Sequence, residues 1–148
     1  VESYDFEKLA REIVAGRLAG LAERAPETAA EIAKRILVSA LQSTANKQDP
    51  RRSTAAICRG VLGGLMLINQ DLSKAAPLIL GEMAAVSHQV PIANEDLMTW
   101  AMEGFASVAV LAGPEPEHAM QLAIDQAFMG AGEVFGKACE KARAGSGA

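Results

Sequence analysis

The chain has 148 residues; 50% are hydrophobic, only 4% are aromatic, and the formal net charge is −4. One domain of this length buries roughly 68–70% of its unfolded surface, so its core needs no disulfide or metal. The acidic balance argues against nucleic acid, which demands clustered Lys and Arg. Uncharged stretches such as residues 83–94 fall short of the ~18–20 residues of a membrane span.

Alanine, leucine and methionine supply most of the apolar bulk. These side chains lose little freedom in a helix, and Val and Ile never form strand-like alternation. The expectation is an all-α fold. Ser3 or Asp5 caps a first helix reaching about Glu23, with an apolar stripe of Phe6, Leu9, Ile13, Gly16 and Gly20. Pro26 suits the opening turn of a second helix that ends near Asn46 and turns Ala33, Ile36, Leu37, Ala40 and Leu41 inward. Asp49-Pro50 starts a third, running to Ile68 and stopping around Asn69. The basic stretch Lys47, Arg51 and Arg52 at its start includes Asp49 and reads as a solvated helix end.

Asp71 or Ser73 begins a fourth helix, with Pro77 tolerated in its opening turn and Pro91 beyond its end. Asn94, Glu95 and Asp96 cap a fifth, which stops at Gly113-Pro114. Glu115 and Glu117 complement the dipole at the start of a sixth, which runs to about Ala142. Residues 1–143 thus form one domain, and 144–148 a flexible tail. The third helix is apolar all round over residues 61–68. The fifth is similar, with Leu97, Trp100, Ala101, Phe105, Val108 and Leu111. Both belong inside. The predicted architecture is therefore a compact six-helix antiparallel bundle, helices 3 and 5 central, since short connections favour antiparallel neighbours. The echo between "AICRGVLGG" from Ala56 and "AIDQAFMGA" from Ala123 suggests two three-helix halves, as in duplicated or solenoid-like proteins.

The glycines bind no phosphate. No Lys follows Gly63 or Gly64 as a Walker loop requires, and Gly130-Ala131-Gly132 with Gly136 has the wrong spacing for a dinucleotide fingerprint. Gly16/Gly20, Gly60/Gly64 and Gly132/Gly136 each lie four apart on a predicted helix. A glycine inside a helix costs roughly 0.8–1.0 kcal/mol against alanine. Close approach of neighbouring backbones is the natural compensation.

Few groups offer chemistry. Glu82 sits in the apolar turn "LILGEMAAV", and Glu103 lies between Thr99 and Ser107 on a helix that otherwise reads as buried. A buried carboxylate needs a partner such as Arg59. If Glu82 and Glu103 faced each other, one would suit general acid or base work; the plainer expectation is that each reaches the rim. Glu115-x-x-His118 and the isolated His88 make no metal site, and no cofactor is expected. Cys58 reads as a core residue. Cys139, between Lys137 and Lys141, reads as partly exposed with a lowered pKa. Two cysteines form no disulfide framework and fit a reducing cytoplasm, although Val1 in place of Met points to processing or trimming.

On the sixth helix, Leu122, Met129, Gly132 and Gly136 form a second smooth seam, nearly opposite the core face of Met120, Ile124, Ala127, Ala131, Val134 and Phe135. A symmetric partner chain is the simplest cover for it. The functional expectation is a non-catalytic association or adaptor module, a homo-oligomer, namely a homodimer packed through small-residue helix faces, with a further protein partner as an option. The alternative is a small ligand-binding or catalytic bundle using Glu82 or Glu103.

Overall fold

A computed structural model describes residues 5–21, 24–43 and 48–146. Among these residues there are seven α-helices and no strand: α1 Phe6–Leu18, α2 Ala25–Gln42, α3 Pro50–Leu67, α4 Leu72–Gln89, α5 Asn94–Ala112, α6 Pro114–Ala127 and α7 Ala131–Ser146. Three aspartates start helices by accepting backbone N–H groups. Asp5 takes that of Lys8 at 2.9 Å, Asp49 that of Arg51 at 3.1 Å, and Asp71 that of Ser73 at 2.9 Å. Asn94 is instead the first residue of α5, and Ala93 before it supplies no side-chain cap. Pro77 lies beyond the opening turn, inside α4. The expected ends at Glu23 and Asn46, and the alternative cap Ser3, lie outside the described residues, as does Lys47.

The helices stack in two layers. Each odd-numbered helix packs most extensively on a neighbouring odd one, giving the order α1, α3, α5, α7, and α2, α4 and α6 form the second layer in the same manner. Chain neighbours touch less, so the expected antiparallel bundle gives way to a stacked array. Helices α3 and α5 lie inside the odd layer, but they are not buried all round as expected: Leu67 is 63% and Leu111 78% exposed, and Trp100 is half-buried. Ile57, Val61, Leu62 and Leu65 on α3, and Leu97, Ala101, Phe105 and Ala109 on α5, are all fully buried.

A glycine register explains the tight odd layer. Gly16, Gly60 and Gly104 recur every 44 residues, each the eleventh residue of its helix. A Cβ on Gly60 would overlap the Glu7 carbonyl oxygen of α1 and lie 2.9 Å from the Ala10 Cβ. One on Gly104 would overlap the Ala55 carbonyl oxygen of α3 and lie 3.1 Å from the Arg59 nitrogen. Gly64 likewise meets Val14 at 2.8 Å. The 67-residue echo joins α3 to α6, which lie in different layers, and does not describe the repeat.

The sixth expected helix is two. Phe128 leaves helical geometry at φ −137° and ψ 93°, and Gly130 takes φ +91°, a region open to glycine at little cost. Asp125 fixes the turn: its Oδ1 accepts the N–H groups of Gly130 at 3.0 Å and Gly132 at 3.2 Å. The chain reverses there and α7 folds back on α6. Helix α7 runs to Ser146, into the stretch expected as tail.

Both thiols are buried and free, which corrects the partly exposed Cys139. Burial pushes Cys58 up to about 12, and burial with nearby Glu117 pushes Cys139 up to about 11, from an ordinary 9.0. The flanking lysines do not win. A thiol with a raised folded-state pKa stabilises the fold below its ordinary value, and that contribution disappears as pH rises through the folded value. The urea midpoint should therefore drop between pH 9 and about 11 to 12, and the drop should be shallower in Cys58→Ala/Cys139→Ala. Equal slopes in the two proteins would refute the assignment.

Candidate functional site

The odd layer presents two adjoining grooves. The first, about 530 Å³, crosses α1, α3 and α5 and is lined by Phe6, Glu7, Arg51, Arg52, Arg59 and Glu103. Ion pairs stitch it across the stack. Arg59 Nε donates to Glu7 Oε1 of α1 at 2.9 Å. Arg51 holds Glu103 of α5 by two bonds, one from Nε to Oε1 at 2.9 Å and a second from Nη2 to Oε2. Bidentate pairs of this kind fix geometry, but at the surface they contribute little to stability.

Glu103 also walls the second groove, about 420 Å³, between α5 and α7, with Thr99, Ser107, Val134, Lys137 and Lys141. The expected polar seam of Thr99, Glu103 and Ser107 is thus a groove wall. The space follows from register. Lys141 is the eleventh residue of α7, where the other odd helices carry glycine, and it lines the groove instead of receiving a neighbouring backbone. Arg51, Arg52 and Arg59 fall on one wall because they ride the same helix; Arg51 and Arg52, read as a solvated end, gave no sign of a groove, and Arg59, expected to serve Glu82 or Glu103, serves Glu7 instead.

The two candidate carboxylates are not partners. Glu82 on α4 pairs with Lys34 on α2 at 3.7 Å, within the even layer. Glu103 belongs to the odd layer and pairs with Arg51. Alternate stacking separates them, and each has its own cation. Nor do the four seam residues share a surface. Gly132 and Gly136 turn toward α6, where added Cβ atoms would lie 2.7 Å from the Asp125 Cβ and 2.7 Å from the Gln121 Nε2. Leu122 is 51% and Met129 97% exposed, on the outside of the hairpin. The chain reversal at Phe128 to Gly130 breaks the seam. Among the described residues no group of three or more His, Cys, Asp or Glu could hold a metal, and no helix is long and apolar enough to cross a membrane.

A third surface stands at the edge of the odd layer. The expected apolar stripe of α1 faces the core only in part: Ala10, Val14 and Leu18 are the fully buried residues, and Phe6 and Ile13 pack half-buried against the core's margin. Leu9 and Ile13 are only half-buried, and Gly16 is exposed, as is Gly20 in the turn just past the helix. A Cβ built on Gly16 or Gly20 meets nothing within 4 Å. In the same register, Gly60 and Gly104 each receive the backbone of a helix. Edge position decides the difference. No family model, curated protein or solved structure matches the chain.

Proposed function

We propose that this chain is a non-catalytic association module that takes a helix of another polypeptide onto the outer face of α1. The observation that supports it is Gly16, bare and exposed in the register where Gly60 and Gly104 accept a helix backbone. The cost of glycine inside a helix, roughly 0.8–1.0 kcal/mol, is offset at the other two positions by close packing. At Gly16 an incoming helix would supply the same compensation. Stacked helical arrays need a polar outer face at each end to remain unassociated, and the face holding Leu9 and Ile13 is not one. Two buried free thiols suit a reducing compartment such as the cytoplasm.

The test is a photo-cross-linking side chain placed at position 19, exposed at the rim of the stripe so that Gly16 stays bare, with the exposed Glu31 of α2 as control. Expression in the native host should give a covalent adduct with another polypeptide at position 19 and far less at position 31. Equal labelling at both positions would overturn the reading.

A further inference from the structure

We infer that the helix received by α1 is α1 of a second copy of this chain, set parallel across a two-fold axis and held in that direction by Glu12 and Arg17. This rests on the association reading above and names its partner. Three observations lead to it.

The first is the register already described. The face is the position at which this array adds helices, and the occupant of that position elsewhere is another odd helix of the same chain.

The second is that a head-to-tail stack is closed off. Continuing the odd layer beyond α7 would need the face of α7 holding Gly132 and Gly136. That face is turned to α6, against Asp125 and Gln121. Among the described residues α1 alone offers an exposed face in the glycine register, so a second copy pairs like with like, which a two-fold axis achieves.

The third is charge. Leu9, Ile13 and Gly16 are spaced four and three apart within α1, the pattern of a helix seam, and Gly20 follows in the turn just past its end. Glu12 immediately precedes the seam residue Ile13, and Arg17 immediately follows Gly16. At 100° per residue they lie on opposite flanks of the stripe. Both are exposed, and neither has an ion-pair partner among the described residues. In a parallel two-fold pair, Glu12 of one copy falls beside Arg17 of the other, five residues on, and the pairing occurs twice. An antiparallel pair instead sets Glu12 against Glu12 and Arg17 against Arg17. Opposite charges in these flanking positions set partner choice and direction. The small side at Gly16 lets the two backbones close in below Ile13, as in small-residue helix pairs generally.

The experiment is sedimentation equilibrium of the purified full chain over a micromolar range at low and high salt, with four proteins: wild type, Glu12→Arg, Arg17→Glu, and the double exchange. The wild type should dimerise, more weakly at high salt. Each single reversal should weaken the dimer roughly tenfold by turning two attractions into two repulsions, and the double exchange should restore it. None of these exposed changes should alter the far-ultraviolet circular dichroism. Dimers indifferent to both single reversals would show an antiparallel or different contact and overturn the inference. So would a monomeric wild type. If position 19 nevertheless cross-links to a different protein in the host, the association reading survives and only the identity of the partner fails.

Discussion

Gly104→Ala should destabilise the protein by about 2 kcal/mol, roughly 4–8 °C in Tm, although alanine is the better helix former. The methyl group would overlap the Ala55 carbonyl oxygen and crowd the Arg59 nitrogen. Both are backbone atoms of α3 and cannot swing aside, so α5 must move off α3 and loosen the core between them. The propensity gain of about 1 kcal/mol does not offset that. The same substitution at Gly16, in dilute solution where the monomer prevails, should stabilise by roughly 0.8–1.0 kcal/mol, because nothing lies within 4 Å of the new carbon. One substitution at two equivalent positions thus gives opposite signs. Urea denaturation of both variants measures it, and a shared sign would remove the basis for the register.

Phe105→Ala should cost about 3–5 kcal/mol, the largest effect expected of any single truncation here. Phe105 is fully buried on α5, which packs against α3, α4, α6 and α7. Emptying its site weakens the array on both sides, so the loss should register as a lowered global stability. Phe135→Ala removes an equally buried ring from α7 at the end of the odd layer. In a stacked array, elements contact mainly their neighbours and stability is a sum of local terms. Its effect should therefore concentrate in the α6–α7 hairpin. Hydrogen exchange separates the cases: in Phe135→Ala the amides of α7 should lose protection while those of α3 keep theirs, and in Phe105→Ala both should fall. Uniform loss of protection in both variants would show that the array unfolds as a single unit.

Helix content and the inner position of α3 and α5 were legible in the sequence because they are local properties. Asp49-Pro50 writes a helix start, and the apolar run over residues 61–68 marks an inner helix through Val61, Leu62 and Leu65, although Leu67 is exposed. Layering was not legible, because periodicity says which face of a helix is apolar and nothing of what covers it. The stripe on α1 carried the right pattern for a core face, yet Ala10 and Val14, with smaller side chains, took the inner position against Gly60 and Gly64. The α6–α7 break escaped for a related reason. No proline marks it, the apolar spacing continues through it, and the turn depends on a hydrogen-bonded carboxylate at Asp125 together with a positive φ at Gly130. The 44-residue interval was on view in Gly16, Gly60 and Gly104, and in Asp5 and Asp49, but four-residue glycine spacings drew attention away from it. Of the site, Glu103 was visible as a polar intrusion on an apolar helix. Its partner Arg51 lies 52 residues away, and only the stacking brings them together.

Packing on the next helix but one also bears on how the chain matures during synthesis. The inner side of α1 has no cover until Leu67 has left the ribosome, and that of α3 none until Ala112 has. Each rung must therefore wait, apolar surface exposed, for a span of about two helices to be translated before it can settle. Each new odd helix is then laid on its predecessor, and the hairpin of α6 and α7 turns the chain back on itself.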